Sequence, residues 1–172
     1  CAQPGLAMAL LDNLAELRLL EGDLCEAEAL IDKIHILASQ HPSLRRSWQY
    51  VGTSETRLRL LRYRNPSLAR PEARRAVADA EAYGDHLLAN TLRIVEADIL
   101  IDANEKLEGR DRIIEILAAK NDFSLLMLAE LSRLQARQAL HDGDIDGAQT
   151  YFANAAILMR EVGTELARRS LA

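Results

Sequence analysis

Aromatic residues, cysteine, proline and glycine are all scarce in this chain of 172 residues. Phe, Trp and Tyr together make up 4% of the residues, although 49% are hydrophobic. The hydrophobic content indicates a globular rather than a disordered chain. Ala and Leu supply most of it, and β-branched runs are few, which favours helices and disfavours strands.

Long apolar runs are also missing, since no segment approaches 18 uninterrupted apolar residues, and we therefore expect no transmembrane helix. The two cysteines, Cys1 and Cys25, form neither a CxxC motif nor a zinc-binding spacing. Two free thiols in a reducing compartment, the cytoplasm, are the favoured interpretation, and a disulfide stays open. Because the chain begins with Cys, we expect a fragment of a longer protein; a processed lipoprotein is disfavoured because no flexible tether follows Cys1.

Apolar residues recur at helical spacing along most of the chain; Leu6, Leu10, Leu14 and Leu17, for example, share one face. We predict one domain, 1–172, whose helices are joined by short links that make consecutive helices antiparallel. The predicted helices are 6–21, 24–39, 44–64, 70–83, 86–107, 110–120, 123–141, 145–161 and 165–172. The predicted breaks are Gly22-Asp23, His41-Pro42, Asn65-Pro66-Ser67, Gly84-Asp85, Gly109, Asn121-Asp122, Gly143-Asp144 and Gly163-Thr164.

The dipeptide Gly-Asp marks several of these breaks. Glycine takes the left-handed conformation that ends a helix, and aspartate caps the next helix by accepting a free amide proton. An alanine lies early in the second helix of three predicted hairpins, at Ala27, Ala73 and Ala148, and Ile114 takes this place in another. Small side chains let the two helices approach closely, so we predict about four helical hairpins that stack on one another.

This pattern resembles the tetratricopeptide repeat, in which W-x2-L-G-x2-Y is followed by A-x3-F-x2-A. The first hairpin places Leu11, Leu14, Ala15 and Arg18 at the first-helix positions, and Ala27, Ile31 and Ile34 at the second. The last hairpin offers Ser132, Gln135, Ala136 and Ala139, then Ala148, Phe152 and Ala155. The resemblance implies an all-α, right-handed α-α superhelix. Uneven periods and an Ala/Leu/Arg-rich composition are also similar to the sensor arm of LuxR-type, ATP-dependent bacterial transcription regulators.

Catalytic and metal-binding motifs are lacking. The four histidines are far apart in sequence, no H-E-x-x-H occurs, and the glycines are isolated. Asp142, Asp144 and Asp146 alternate as in a calcium loop, but Ala153 stands where that loop requires a glutamate. We expect no enzyme activity, no metal and no cofactor.

Positive charge is concentrated between Arg45 and Arg75, where nine arginines face only Glu55 and Glu72. This stretch therefore carries +7 and the rest of the chain −12. It also contains three aromatic residues, Trp48, Tyr50 and Tyr63. Its arginines either form a solvated face that pairs with acidic neighbours, or bind an acidic protein or small anion; the net acidic chain argues against nucleic acid.

Four arginines are the predicted partner-binding residues: Arg59, Arg62, Arg133 and Arg137. The tetratricopeptide resemblance places them on the concave side, where pairs of guanidinium groups could clamp a carboxylate. Glu130 offers Arg133 and Arg137 a partner within the chain. The resemblance implies a regulatory domain that binds a protein or peptide, with an effector pocket lined by Trp48, Tyr50 and Tyr63 as the alternative. Self-association through exposed apolar ends of the stack is a further possibility.

Overall fold

Helices account for all regular secondary structure in the computed structural model, which describes residues 3–118 and 123–170. Within those residues the prediction of an all-α chain is confirmed. The α-helices are α1 Pro4–Leu20, α2 Leu24–Gln40, α3 Trp48–Gly52, α4 Ser54–Arg64, α5 Pro66–Tyr83, α6 His86–Asp102, α7 Lys106–Ala118, α8 Leu125–Asp142 and α9 Ile145–Ser170, and a 3-10 helix, Pro42–Arg46, precedes α3.

The chain divides into two compact units, Cys1–Val95 (unit 1) and Glu96–Ala172 (unit 2). Helix α6 runs across the boundary and contributes residues to both. The predictions of a single domain and of a superhelical stack stay predictions.

Three Gly-Asp turns have the predicted capping geometry. Gly22, Gly84 and Gly143 have φ angles of 80°, 83° and 81°, the left-handed conformation that glycine adopts without steric cost. The aspartate that follows each glycine accepts a backbone N–H bond three residues on, from Glu26 at 3.0 Å, Leu88 at 2.9 Å and Gly147 at 2.9 Å. The same local chemistry therefore ends one helix and begins the next at α1–α2, α5–α6 and α8–α9.

An alanine lies five residues after each of these glycines, and all three alanines are buried: Ala27, Ala89 and Ala148. The sequence predicted Ala73, early in the helix before Gly84-Asp85, as the third such alanine. Ala73 is also buried, but it lies inside α5 and not after a Gly-Asp turn. Ile114, the residue predicted at this place in the third hairpin, is 57% exposed, so that assignment was wrong.

The core of unit 1 forms where α1 and α2 pack together and α4 covers them. One cluster joins Ala15 of α1, Ala27 and Ile31 of α2, and Leu60 of α4. A second joins Met8, Ile34 and Ala38, with Leu44 and Tyr50 against it. In unit 2, α8 and α9 form a hairpin and α7 packs on α8.

The single helix predicted over 44–64 was wrong, because two hydroxyl residues interrupt it. Ser47 is extended, with φ −89° and ψ 153°, and its hydroxyl accepts the Tyr50 N–H, which starts α3. Thr53 donates its hydroxyl to the Tyr50 carbonyl at 2.7 Å and ends the same helix. These local bonds compete with continuous helix, as short hydroxyl side chains commonly do.

Three other predicted boundaries were also wrong. Helix α5 begins at Pro66 and not at residue 70, since proline is tolerated in a first turn. The break predicted at Gly109 lies at residues 103–105, where Asn104 has a φ of 60°. The break predicted at Gly163 does not occur, because α9 continues through it. The break predicted at Asn121-Asp122 lies outside the described residues.

Gly109 has a packing role inside α7. A Cβ added there would lie 3.3 Å from Ile101 Cγ1 and 3.4 Å from Gln138 Oε1. The glycine therefore allows α7 to approach these two side chains closely. No helix among the described residues is long and apolar enough to cross a membrane.

Candidate functional site

The arginine-rich stretch forms the 3-10 helix, α3, α4 and the start of α5, all within unit 1. The two predicted partner-binding arginines of this stretch already have contacts there. Arg59 donates from Nε and Nη2 to Glu55 Oε1 at 3.1 and 2.8 Å. The Arg62 guanidinium lies 5.6 Å from the centroid of the Tyr63 ring. Neither side chain lines the cleft in unit 1 that is described in the next paragraph.

Other side chains of the same stretch, together with side chains from the second half of α5, surround an open cleft of about 530 Å³, here called the basic cleft. The 3-10 helix and α3 supply one part of its wall, α4 a second and α5 the remainder. Its lining residues are Arg45, Tyr50, Val51, Ser54, Arg57, Glu72, Arg75, Asp79, Ala82 and Tyr83. Three guanidinium groups and two carboxylates thus share the cleft with two phenol rings, which leaves one excess positive charge.

Glu72 holds two of the three arginines. Its carboxylate accepts from Arg57 Nη2 at 3.3 Å and from Arg75 Nη1 at 3.2 Å. The Arg57 side chain is 24% exposed and that of Arg75 is 71% exposed. The buried Nε of Arg57 finds no acceptor in the described part of the chain. Each guanidinium has more N–H donors than one carboxylate can accept. A carboxylate of a partner could therefore bind Arg57 or Arg75 in the way that Glu72 does.

His35 lies behind the cleft wall. Its Nδ1 is 3.3 Å from the Tyr50 hydroxyl, and the two rings meet edge to face with centroids 6.2 Å apart. Partial burial lowers the pKa of His35, and the positive charges of Arg57 and Arg45 lower it further, while Asp32 opposes them. The same arginines that line the cleft therefore keep this imidazole neutral over more of the pH range.

The other two predicted partner-binding residues, Arg133 and Arg137 of α8, both bind a carboxylate of α6. Arg133 Nη2 is 2.8 Å from Asp98 Oδ2 and 3.0 Å from Glu130 Oε2. Arg137 contacts Asp98 and Asp102. Burial opposes the charge of Arg133, but Asp98 and Glu130 outweigh it and raise the pKa of the guanidinium. Glu130 is a partner of Arg133, as sequence analysis suggested.

A second buried carboxylate of α6, Glu96, has a similar arrangement with α7. The Glu96 side chain is 1% exposed and receives Arg112 in a fork, with Nε at 3.0 Å and Nη2 at 3.3 Å. Arg112 also contacts Glu115. Sequence analysis did not select Glu96 or Asp98. The signal was present, since both acids interrupt the apolar run from Leu92 to Ile101 and such a run is buried on most sides.

The aromatic residues of the arginine-rich stretch do not share one pocket. Tyr50 lines the basic cleft, whereas Trp48 and Tyr63 are 59% and 61% exposed and do not. Tyr83, which lies beyond the stretch, is the second aromatic residue that lines the basic cleft. Tyr83 comes close to the residues of α3 only when the chain folds. The local sequence therefore did not indicate that Tyr83 would line the cleft.

Two of the three aspartates that alternate as in a calcium loop have other roles. Asp142 accepts from Arg110 at 2.7 Å and from Gln138, and Asp144 caps α9. Among the described residues, no three His, Cys, Asp or Glu side chains are placed to hold a metal ion. No known protein-family model, curated protein or solved structure matches this chain.

Proposed function

We propose that this chain is a non-enzymatic helical-repeat recognition domain, and that its basic cleft binds an acidic segment of a protein partner. The observation that carries the proposal is the convergence of Arg45, Arg57 and Arg75 from three separate elements around one cleft. Guanidinium groups bind carboxylates with two parallel hydrogen bonds, and tyrosines cover the apolar part of a peptide.

We further propose that the helical hairpins stack in a tetratricopeptide-like superhelix, and that the domain is the sensor arm of a bacterial transcription regulator. Support for the repeat is local: three Gly-Asp turns share one capping geometry and one buried alanine at the same offset. The regulator is supported by the resemblance in composition and in uneven repeat length.

The cleft replaces the four arginines predicted from sequence as the preferred binding residues. Arg133 and Arg137 satisfy buried Asp98, and an acidic partner would have to compete with that carboxylate. Arg59 is held in a similar way by Glu55. In the cleft, Arg75 is largely exposed, so its remaining donors are open to a partner.

Binding of a fluorescein-labelled deca-aspartate peptide, followed by anisotropy at low salt, tests the proposal. Loss of a charge-assisted hydrogen bond costs about 1.5–3 kcal/mol, so we expect Arg45→Gln/Arg57→Gln to weaken binding at least about tenfold. Glu72→Gln should tighten binding by about threefold or more, because it removes the carboxylate that occupies Arg57 and Arg75.

Two control variants separate the cleft from general charge effects. Arg18→Gln removes an exposed arginine of α1 that pairs with Glu21, the residue after the helix. This change should leave the affinity for the peptide unchanged. Arg59→Gln/Arg62→Gln tests the residues predicted from sequence. Equal loss of binding in these controls, or no loss in the cleft variant, would contradict the assignment of the cleft as the binding site.

A small anionic effector is the second candidate. The volume of the cleft lies within the range of about 300–1,000 Å³ typical of small-ligand sites. Titration with free aspartate and with phenylpyruvate distinguishes the two functions. Binding of either small acid as tight as that of the peptide, and equally sensitive to Arg57→Gln, would favour an effector sensor over a peptide-binding domain.

A further inference from the structure

Five leucines of α1 form an exposed strip that the other described helices of unit 1 leave uncovered, here called the leucine face. Their exposed fractions are 58% for Leu6, 55% for Leu10, 46% for Leu14, 46% for Leu17 and 80% for Leu20. At 100° per residue they fall within about 120° of the helix circumference. They therefore form one continuous strip and not scattered surface residues.

Helix α1 is apolar on its inner side as well. Met8 and Ala15 are completely buried, and Leu11 and Leu19 pack against the core clusters of unit 1. A surface helix of a monomer normally has a polar outer face, and a helix that is apolar all round is normally covered on both sides. The outer face of α1 thus has the composition of a buried surface.

The leucine face is free of charge along most of its length. Between Pro4 and Leu17 the charged residues of α1 are Asp12 and Glu16, and both lie off the strip. The Asp12 carboxyl instead lies beside Thr56 of α4, and burial raises its pKa, whereas Thr56 lowers it. Asn13 is the one polar residue near the centre of the strip. A second helix could therefore lie along the strip without burying an unpaired charge, which would be costly.

We propose that the leucine face is a self-association surface on which α1 of a second copy packs antiparallel. The spacing of four of the five leucines, Leu6 to Leu17, is nearly symmetric when the direction of the helix is reversed, and Leu20 extends the strip beyond this symmetric part. Leu6 then lies opposite Leu17 of the second copy, and Leu10 lies opposite Leu14 of the second copy. A two-fold interface uses the same patch on both subunits and needs this kind of self-complementarity, which an unrelated partner would not require.

The expected affinity is modest. Five leucines that are between 46% and 80% exposed form an apolar patch on the order of 300–600 Å², the largest size usual on a monomer. A stable dimer buries about 800 Å² on each partner, so the strip supplies the apolar centre and its flanks supply the rest. We therefore expect a reversible dimer with a dissociation constant in the micromolar range.

Sedimentation equilibrium of the whole chain between about 5 and 200 µM measures this association directly. We expect a monomer–dimer equilibrium, and at least a tenfold weaker association for Leu10→Gln/Leu14→Gln with an unchanged helical circular dichroism spectrum. Leu107→Gln, which alters a leucine of α7 that is 74% exposed, is the control and should still dimerise. A chain that stays monomeric throughout this range, or a dimer that survives the double substitution, would overturn the proposal.

Cysteine cross-linking tests the antiparallel direction without relying on the leucine variants. In a background with Cys1→Ser and Cys25→Ser, Asn13→Cys lies near the two-fold axis and should form an intermolecular disulfide rapidly. Leu6→Cys lies near one end of the strip and should not, because its counterpart is at the other end. Rapid cross-linking through Leu6→Cys, or none through Asn13→Cys, would rule out the antiparallel arrangement.

Discussion

Asp98 illustrates how a buried charge can be retained in a helical chain. Its side chain is 3% exposed, yet two guanidinium groups of α8 contact its two oxygens, and each arginine keeps a second carboxylate at the surface. An isolated carboxylate at this depth would be strongly destabilising. The arginines thus make the burial of Asp98 tolerable and fix the position of α8 against the end of α6.

Asp98→Asn should lower the free energy of unfolding by about 2–4 kcal/mol, because two partly buried arginines lose their common partner. Glu130→Gln is the matched control. It removes a more exposed carboxylate from the same arginine, and Asp98 remains, so we expect a loss below about 1 kcal/mol. Urea titrations followed by circular dichroism measure both changes. Equal losses in the two variants would mean that the burial of Asp98 does not increase its contribution to the free energy of unfolding.

These ion pairs also show what the local sequence does not indicate about the arginines of α8. Arg133 and Arg137 lie one helical turn apart, which the sequence shows directly. Their partner Asp98, however, is 35 and 39 residues away along the chain. Local spacing predicts which side chains share a helix face, but it does not predict which charges on other helices they will meet.

At the scale of helices and turns, local rules predicted the structure wherever two independent signals coincided. Gly84-Asp85 combines a residue suited to left-handed backbone with a capping carboxylate, and the turn forms at that place. Gly109 carries only the first signal and lies inside α7. Gly163 is followed by threonine, a weaker cap than aspartate, and α9 continues through it. At Gly109 the reason is packing, since the bare Cα lets Ile101 approach.

The three capping aspartates should have similar effects on stability. We expect Asp23→Ala, Asp85→Ala and Asp144→Ala each to lower the free energy of unfolding by about 1 kcal/mol, because each leaves an N-terminal amide without its acceptor. Asp111→Ala, at an exposed position inside α7, should change it by less than about 0.5 kcal/mol. Urea midpoints measure the series, and losses no larger than that of Asp111→Ala would contradict a capping role.

Across the whole molecule, charge is separated along the chain. The chain carries −5 overall, whereas the stretch from Arg45 to Arg75 carries +7 and the remainder −12. Unit 1 as a whole has twelve acidic and twelve basic residues. The positive excess is therefore local, and Glu55 and Glu72 are among the carboxylates that contact it, which leaves a locally positive surface. Such a surface attracts anions over about one Debye length, roughly 10 Å at 0.1 M salt, so binding at the cleft should weaken as salt is added.

The same positive charge should make the stability of the protein depend on pH through His35. Burial and the neighbouring Arg57 lower the pKa of His35 in the folded chain, so the unfolded chain binds more protons below the ordinary value of 6.5. The free energy of unfolding should therefore fall as the pH drops from 7.5 to 5.5. The ring is only partly buried and solvent screens its charge, so we expect a loss below about 1 kcal/mol.

Urea titrations at several pH values isolate this contribution when the wild type is compared with two histidine variants. His35→Gln should flatten the profile in this window, whereas His86→Gln, at an exposed position at the start of α6, should leave it unchanged. Adding deca-aspartate should also flatten the wild-type profile, because an anion in the cleft offsets the charges of Arg45 and Arg57 that oppose protonation. A peptide that binds but leaves the profile as it was would place its carboxylates away from these arginines.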